Sequence, residues 1–137
     1  MKLLVIDDDP IHHTIVGLLL QKVSPPVKHH AFLDASDAFY YILKNNTLNS
    51  LPDLILLDLD MPLVSGWGFL ELLETISDSL DKKTDVIILT SSIDANIRKK
   101  AAKYNCVKGV FSKPLSEEML SDILSSAFIS MNRSPKH

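Results

Sequence analysis

Five apolar runs of strand length recur along the chain, at Leu3–Ile6, Val27–Phe32, Leu54–Leu57, Val86–Leu89 and Gly109–Phe111. The first, third and fourth are continuously apolar rather than alternating, the pattern of a parallel strand covered by helices on both faces. The second carries Lys28, His29 and His30 and suits a sheet edge. The intervening segments have helical spacing. Ile11, Ile15, Leu18 and Leu19 predict one apolar stripe; Ala38, Tyr41 and Ile42 a second; Phe69, Leu72, Leu73 and Ile76 a third. The last helix is expected to bury Met119, Ile123, Leu124, Ala127 and Phe128. Start signals agree: Asp9 and Pro10 make an N-cap and N1 pair, and Asp94 and Ser116 can cap the fourth and fifth helices. The polar stretch Lys44–Ser50 reads as a helix end and loop.

Strand and helix alternating five times predict an α/β fold, a flavodoxin-like (βα)5 doubly wound parallel sheet with strand order 2-1-3-4-5. With 137 residues, 46% of them apolar, the chain supports one core and not two. A single domain is expected over 1–129, with a frayed tail at 130–137. The net charge of −3 argues against a nucleic-acid-backbone binder. Arg98, Lys99, Lys100 and Lys103 read as a solvated helix face first and a partner-docking face second. Cys106 stands alone and reads as a small apolar filler, which favours a reducing, cytoplasmic setting. Leu3–Ile6 is cut off by Asp7, Asp8 and Asp9, too early for a secretory segment, and no apolar run is long enough to cross a membrane.

In such sheets ligands bind beyond the carboxyl ends of the strands. Strand one ends in Asp7 and Asp8, strand three in Asp58, strand four in Thr90, and Lys113 follows strand five just before Pro114. Three carboxylates brought together raise one another's pKa unless a cation neutralises them, so a hard divalent ion is implied. Mg²⁺ fits, since it takes oxygen ligands and is usually held by one or two carboxylates plus a phosphate oxygen. A carboxylate can act as a nucleophile towards phosphorus, and Asp58, central on strand three, is the best candidate. Lys113 and Mg²⁺ can offset charge on the phosphoryl oxygens, and the Thr90 hydroxyl can donate to one of them.

The stretches VIDDDP (Val5–Pro10), LILLDLDMP (Leu54–Pro62) with Gly66 after it, ILTSS (Ile88–Ser92) and FSKPL (Phe111–Leu115) together resemble the receiver domains of two-component response regulators. The likeness runs from Leu3 to about Phe128. It implies that Asp58 accepts a phosphoryl group from a histidine on a sensor kinase or a histidine phosphotransfer protein. It implies Asp8 as a direct Mg²⁺ ligand, Asp7 as a ligand directly or through water, and the Asp60 main-chain carbonyl as another. Thr90 would move towards the phosphoryl group and Lys113 would pair with it. In that family the movement repacks the face formed by helix four, strand five and helix five, which partners read. A protein target is expected, with no nucleic acid and no membrane, acting as a monomer or a phosphorylation-dependent dimer.

Two positions depart from the pattern. An aromatic residue or His usually stands three before the lysine, where this chain has Val110; Phe111 should point to the opposite face. Asp60, two residues after Asp58, reads equally as a carboxylate able to alter the lifetime of the aspartyl-phosphate and as a solvent-facing loop acid. His12-His13 and His29-His30 read as surface histidines, because adjacent side chains diverge and no third metal ligand is apparent. Trp67 reads equally as a loop aromatic or part of a partner patch. Two other functions compete. Asp58-Leu59-Asp60 also looks like the nucleophile and acid-base pair of haloacid-dehalogenase-like phosphatases, though that motif belongs on a first strand. The alternative is a receiver-like binding module that is never phosphorylated, against which Asp8, Asp58, Thr90 and Lys113 all speak. About nine residues follow Phe128, so the chain reads as a stand-alone regulator or a fragment of a larger one.

Overall fold

The computed structural model describes residues 1–23, 26–61 and 64–132, the last three in backbone only. Five parallel strands run in the order β2-β1-β3-β4-β5: β1 (Lys2–Ile6), β2 (Lys28–Phe32), β3 (Leu54–Asp58), β4 (Asp85–Thr90) and β5 (Val107–Ser112). The expected apolar runs lie on the strands, save that Val27 stands one residue before β2. β2 is an edge, with Lys28, His29 and His30 exposed, as read. Five helices connect and follow the strands: α1 (Pro10–Leu20), α2 (Ala35–Lys44), α3 (Gly66–Ile76), α4 (Ala95–Ala101) and α5 (Glu117–Asn132). A short 3-10 turn at Ser77–Ser79 precedes β4. None of the described helices is long and apolar enough to cross a membrane.

Alternation along the buried strands divides the core in two. Leu4, Ile6, Ile55, Leu57, Val86 and Ile88 pack under α2, α3 and α4. Leu3, Val5, Leu56, Ile87 and Leu89 pack under α1 and α5. Val110 joins the first cluster and Phe111 the second, so the two residues do face opposite ways. Helix starts follow the expected caps. Asp9 accepts from the Ile11 N–H, Asp94 from the Ile97 N–H, and the Ser116 hydroxyl from the Met119 N–H. Asp34 and Ser65 cap α2 and α3 in the same way.

Three helix faces differ from the expected stripes. On α1 the buried residues are His12, Val16 and Leu20, while Ile11 is 70% and Leu18 57% exposed. The inward stripe is rotated by one position because the His12 imidazole turns inward. On α3, Leu70 is buried with Phe69 and Leu73, and Leu72 faces out. On α5, Leu120 joins Ile123 and Leu124 in the core, with Met119, Ala127 and Phe128 packed at its margin. α5 continues to Asn132, into the stretch expected as tail, and 133–137 lie outside the described residues, as does Pro62 of the motif after β3.

Trp67 is neither a loop aromatic nor fully exposed. It lies in the first turn of α3, stacked on Tyr104 with centroids 6.1 Å apart, and the Lys100 ammonium sits 4.6 Å from its ring centre. The Tyr104 hydroxyl donates to Glu71 at 2.8 Å. The α3 helix and the end of α4 are thereby fastened together.

Gly66 decides how closely α3 approaches the end of β3. Its N–H donates to the Leu59 carbonyl at 3.1 Å. A Cβ added there would lie 2.6 Å from the Asp58 carbonyl oxygen and 2.7 Å from the Leu59 Cα, both backbone atoms that a rotamer change does not move. Gly66→Ala is therefore expected to destabilise the protein by about 1–3 kcal/mol through overpacking. Urea unfolding checks this, and an unchanged midpoint would contradict it.

Candidate functional site

The carboxyl ends of β1 and β3 deliver Asp7, Asp8 and Asp58 to one place. One oxygen from each lies within 4.8 Å of the others. Asp7 and Asp58 are buried, at 1% and 4% exposure, whereas Asp8 faces solvent. Lys113, just past β5, reaches back across the sheet end. Its ammonium is 2.7 Å from Asp7 Oδ2 and 3.6 Å from Asp58 Oδ2. The Lys113 N–H also donates to the Thr90 carbonyl at 2.9 Å, which ties the β5 end to β4.

The two buried acids are in opposite electrostatic states. Burial pushes Asp7 up, but His12, Lys113 and the Asp9 N–H outweigh it and hold the carboxyl down at about 2. Burial also pushes Asp58 up, here reinforced by the neighbouring charge of Asp7. The Asp60 N–H and Lys113 offset this only partly, and Asp58 stands at about 6. Lys113 is raised: burial alone would lower it, and the contacts with Asp7 and Asp58 prevail.

Thr90 is 1% exposed at the end of β4, where its hydroxyl and Ser92 face each other at 3.4 Å. It is one strand position beyond Leu89, which pairs with Asp58. The Asp60 side chain is exposed and stands outside the carboxylate cluster; its contribution to Asp58 is a backbone N–H at 3.2 Å from Oδ1.

His12 and His13 are not the surface residues expected from sequence. His12 is 4% exposed, with Nδ1 2.8 Å from Asp7 Oδ2. Neither this approach nor that of Lys113 is straight enough for a hydrogen bond to that oxygen; the Lys113 approach is a close ionic contact. His13 Nε2 lies 2.8 Å from the Asp7 carbonyl oxygen and 3.1 Å from that of Phe32. Both partners are acceptors, so Nε2 carries the proton. Side chains that diverge from the helix meet the same residue again because Asp7 offers a carboxylate on one side and a carbonyl on the other.

The donor set suits a hard divalent cation. It consists of carboxylate oxygens, one exposed and two buried, within 4.8 Å of one another, with the Lys113 ammonium as the neighbouring cation.

A family model for the response regulator receiver domain matches residues 3–125. No curated protein matches the chain. Among solved structures, the chain is similar to a two-component response regulator from Cytophaga hutchinsonii at 23% identity, TM-score 0.84, covering 93% of this chain and 96% of that one. A two-component response regulator from Legionella pneumophila is similar at 22% identity and TM-score 0.80, covering 94% and 98%. The Vibrio cholerae chemotaxis protein CheY4 is similar at 22% and 0.75, covering 92% and 97%. At these identities the solved structures bear on the fold. The phosphatase reading loses its footing, because Asp58 ends the third strand and Asp60 stands apart from the cluster.

The two shifts make the pH dependence of the cation-free protein specific. A carboxyl raised from 3.8 to about 6 stabilises the fold below its unfolded pKa, and that contribution is lost as pH rises from 4 to 6. Asp7, lowered from 3.8 to about 2, contributes above pH 4 and loses its contribution as pH falls towards 2. Asp58→Asn removes the repulsive charge. In a chelator at pH 8 it is expected to exceed the wild type in stability by about 1–3 kcal/mol, a gain that vanishes near pH 4. Urea unfolding at both pH values measures it. An equal gain at both would assign the effect to packing instead.

Proposed function

The chain belongs to the response regulator receiver domain family, a family of signalling domains, and on that premise we propose that Asp58 is its phospho-acceptor. The donor is a phosphohistidine on a sensor kinase or a phosphotransfer protein. An Asp58 oxygen forms the new O–P bond as the N–P bond of the phosphohistidine breaks, and the imidazole leaves with the electron pair and takes up a proton. The observation that carries this reading is the buried Asp58 carboxylate, with oxygens of Asp7 and Asp8 within 4.8 Å and the Lys113 ammonium 3.6 Å from its Oδ2.

Each neighbour then has a task. Asp8 and Asp58, the Asp60 main-chain carbonyl, and Asp7 directly or through water would hold Mg²⁺, which when bound supplies charge neutralisation at the phosphoryl oxygens. Lys113 turns from Asp7 towards the new dianion, a short step since it already stands 3.6 Å from Asp58. Thr90 exchanges its Ser92 contact for a phosphoryl oxygen, and the loop it begins leads into α4. With Val110 in place of an aromatic switch residue, the readout runs through that loop and the α3–α4 contact of Trp67 and Tyr104. The added charge of about −1.5 to −2 biases this contact only as far as the phosphoryl group interacts differently with its two arrangements. The setting is the cytoplasm, and the output is a changed interaction with another protein.

Incubation with acetyl phosphate and Mg²⁺, followed by intact mass, tests the reading. One added phosphoryl group is expected, absent in Asp58→Ala and absent with a chelator. No adduct, together with no Mg²⁺ binding, would leave a receiver fold that serves only as a binding module.

A further inference from the structure

Position 12 holds a side chain that packing alone does not call for. The residues below it on the same face of α1, Val16 and Leu20, are aliphatic and complete the stripe under the sheet. The His12 imidazole is 4% exposed, and its Nε2 is buried without a partner, a desolvation cost an aliphatic side chain would not incur. What the imidazole does offer is Nδ1, 2.8 Å from Asp7 Oδ2. A nitrogen that close to an ionised carboxylate carries its proton there.

We propose that His12 is a positioning residue for Asp7, and that by sharing one carboxylate oxygen with Lys113 it keeps both the acid and the lysine placed for the Asp58 site. Rested on the receiver reading, this deepens it. The Asp7 carboxylate is held at both ends, since Oδ1 accepts from the Asp9 N–H at 2.9 Å while Oδ2 meets His12 and Lys113. Its main chain is held by His13 through the carbonyl oxygen. Without the imidazole, the Lys113 ammonium is the one side-chain nitrogen left beside Oδ2. Lys113 then closes on Asp7 alone, draws that carboxylate away from the edge it shares with Asp8 and Asp58, and is itself withdrawn from Asp58.

Titration of the full-length chain with MgCl₂ by calorimetry tests this directly, with urea unfolding recorded for every variant. His12→Leu fills the space without a donor, and His12→Asn sets an amide nitrogen near the place of Nδ1. The Leu variant is expected to bind Mg²⁺ about ten-fold more weakly, the low end of what loss of an outer partner of a metal-holding carboxylate costs. The Asn variant is expected to recover most of that loss. Should His12→Leu not unfold cooperatively, His12→Met, equally donor-free and more pliant, carries the same expectation. Wild-type affinity in a folded donor-free variant overturns the role of His12 and leaves the receiver reading standing. A wild type that binds no Mg²⁺ overturns both.

Discussion

Like charge in a small, partly dry space is the constraint on which the rest of this molecule turns. Asp7, Asp8 and Asp58 present oxygens within 4.8 Å of one another, two of them from buried side chains. Burial and mutual repulsion act in the same direction on a carboxylate, each favouring the protonated form. The protein resolves this unevenly. Asp7 receives an imidazole, an ammonium and a backbone N–H and stays fully ionised, whereas Asp58 receives one backbone N–H and a more distant share of the same ammonium. The compensation is thus concentrated on one acid and sparse at the other.

That unevenness is available only because the scaffold is stiff. Leu3–Ile6 and Leu54–Leu57 are buried on both faces, between α2, α3 and α4 on one side and α1 and α5 on the other. The acids at their ends cannot drift apart without dragging a packed strand. Gly66 tightens the arrangement from outside, because α3 begins within a Cβ radius of the Asp58 backbone. The same cross-ties reach β5, where the Lys113 N–H bonded to the Thr90 carbonyl brings the lysine over the acids instead of into solvent.

Which parts of this were legible in the chain follows from range. The strands were, since a run such as LILL can be satisfied only in a two-sided interior, and so were Asp7, Asp8, Asp58 and Lys113, which stand directly at strand ends. Gly66 was legible as part of a motif, though its reason, contact with the backbone of Asp58 and Leu59, was not. The α1 face was misjudged by one residue because a histidine was assigned to solvent; hydrophobic periodicity has no means of showing that a polar side chain turns inward to meet a charge. His12 and His13 were misjudged for the same reason, since their common partner precedes them on a different element. Trp67 was unreadable because Tyr104, its stacking partner, lies far along the chain.

The absence of an aromatic at position 110 follows the same logic. Val110 is half-buried and packs against the margin of the cluster under α2, α3 and α4. The segments that follow Asp58 and Thr90 lead away from the sheet end. One runs to α3 and Trp67, the other to α4 and, at its end, Tyr104. These rings are stacked, with Lys100 over the indole and Glu71 on the phenol, so α3 and the end of α4 are joined there. The start of α3 and the turn after α4 therefore cannot move apart without breaking this stacked contact and the bond from Tyr104 to Glu71.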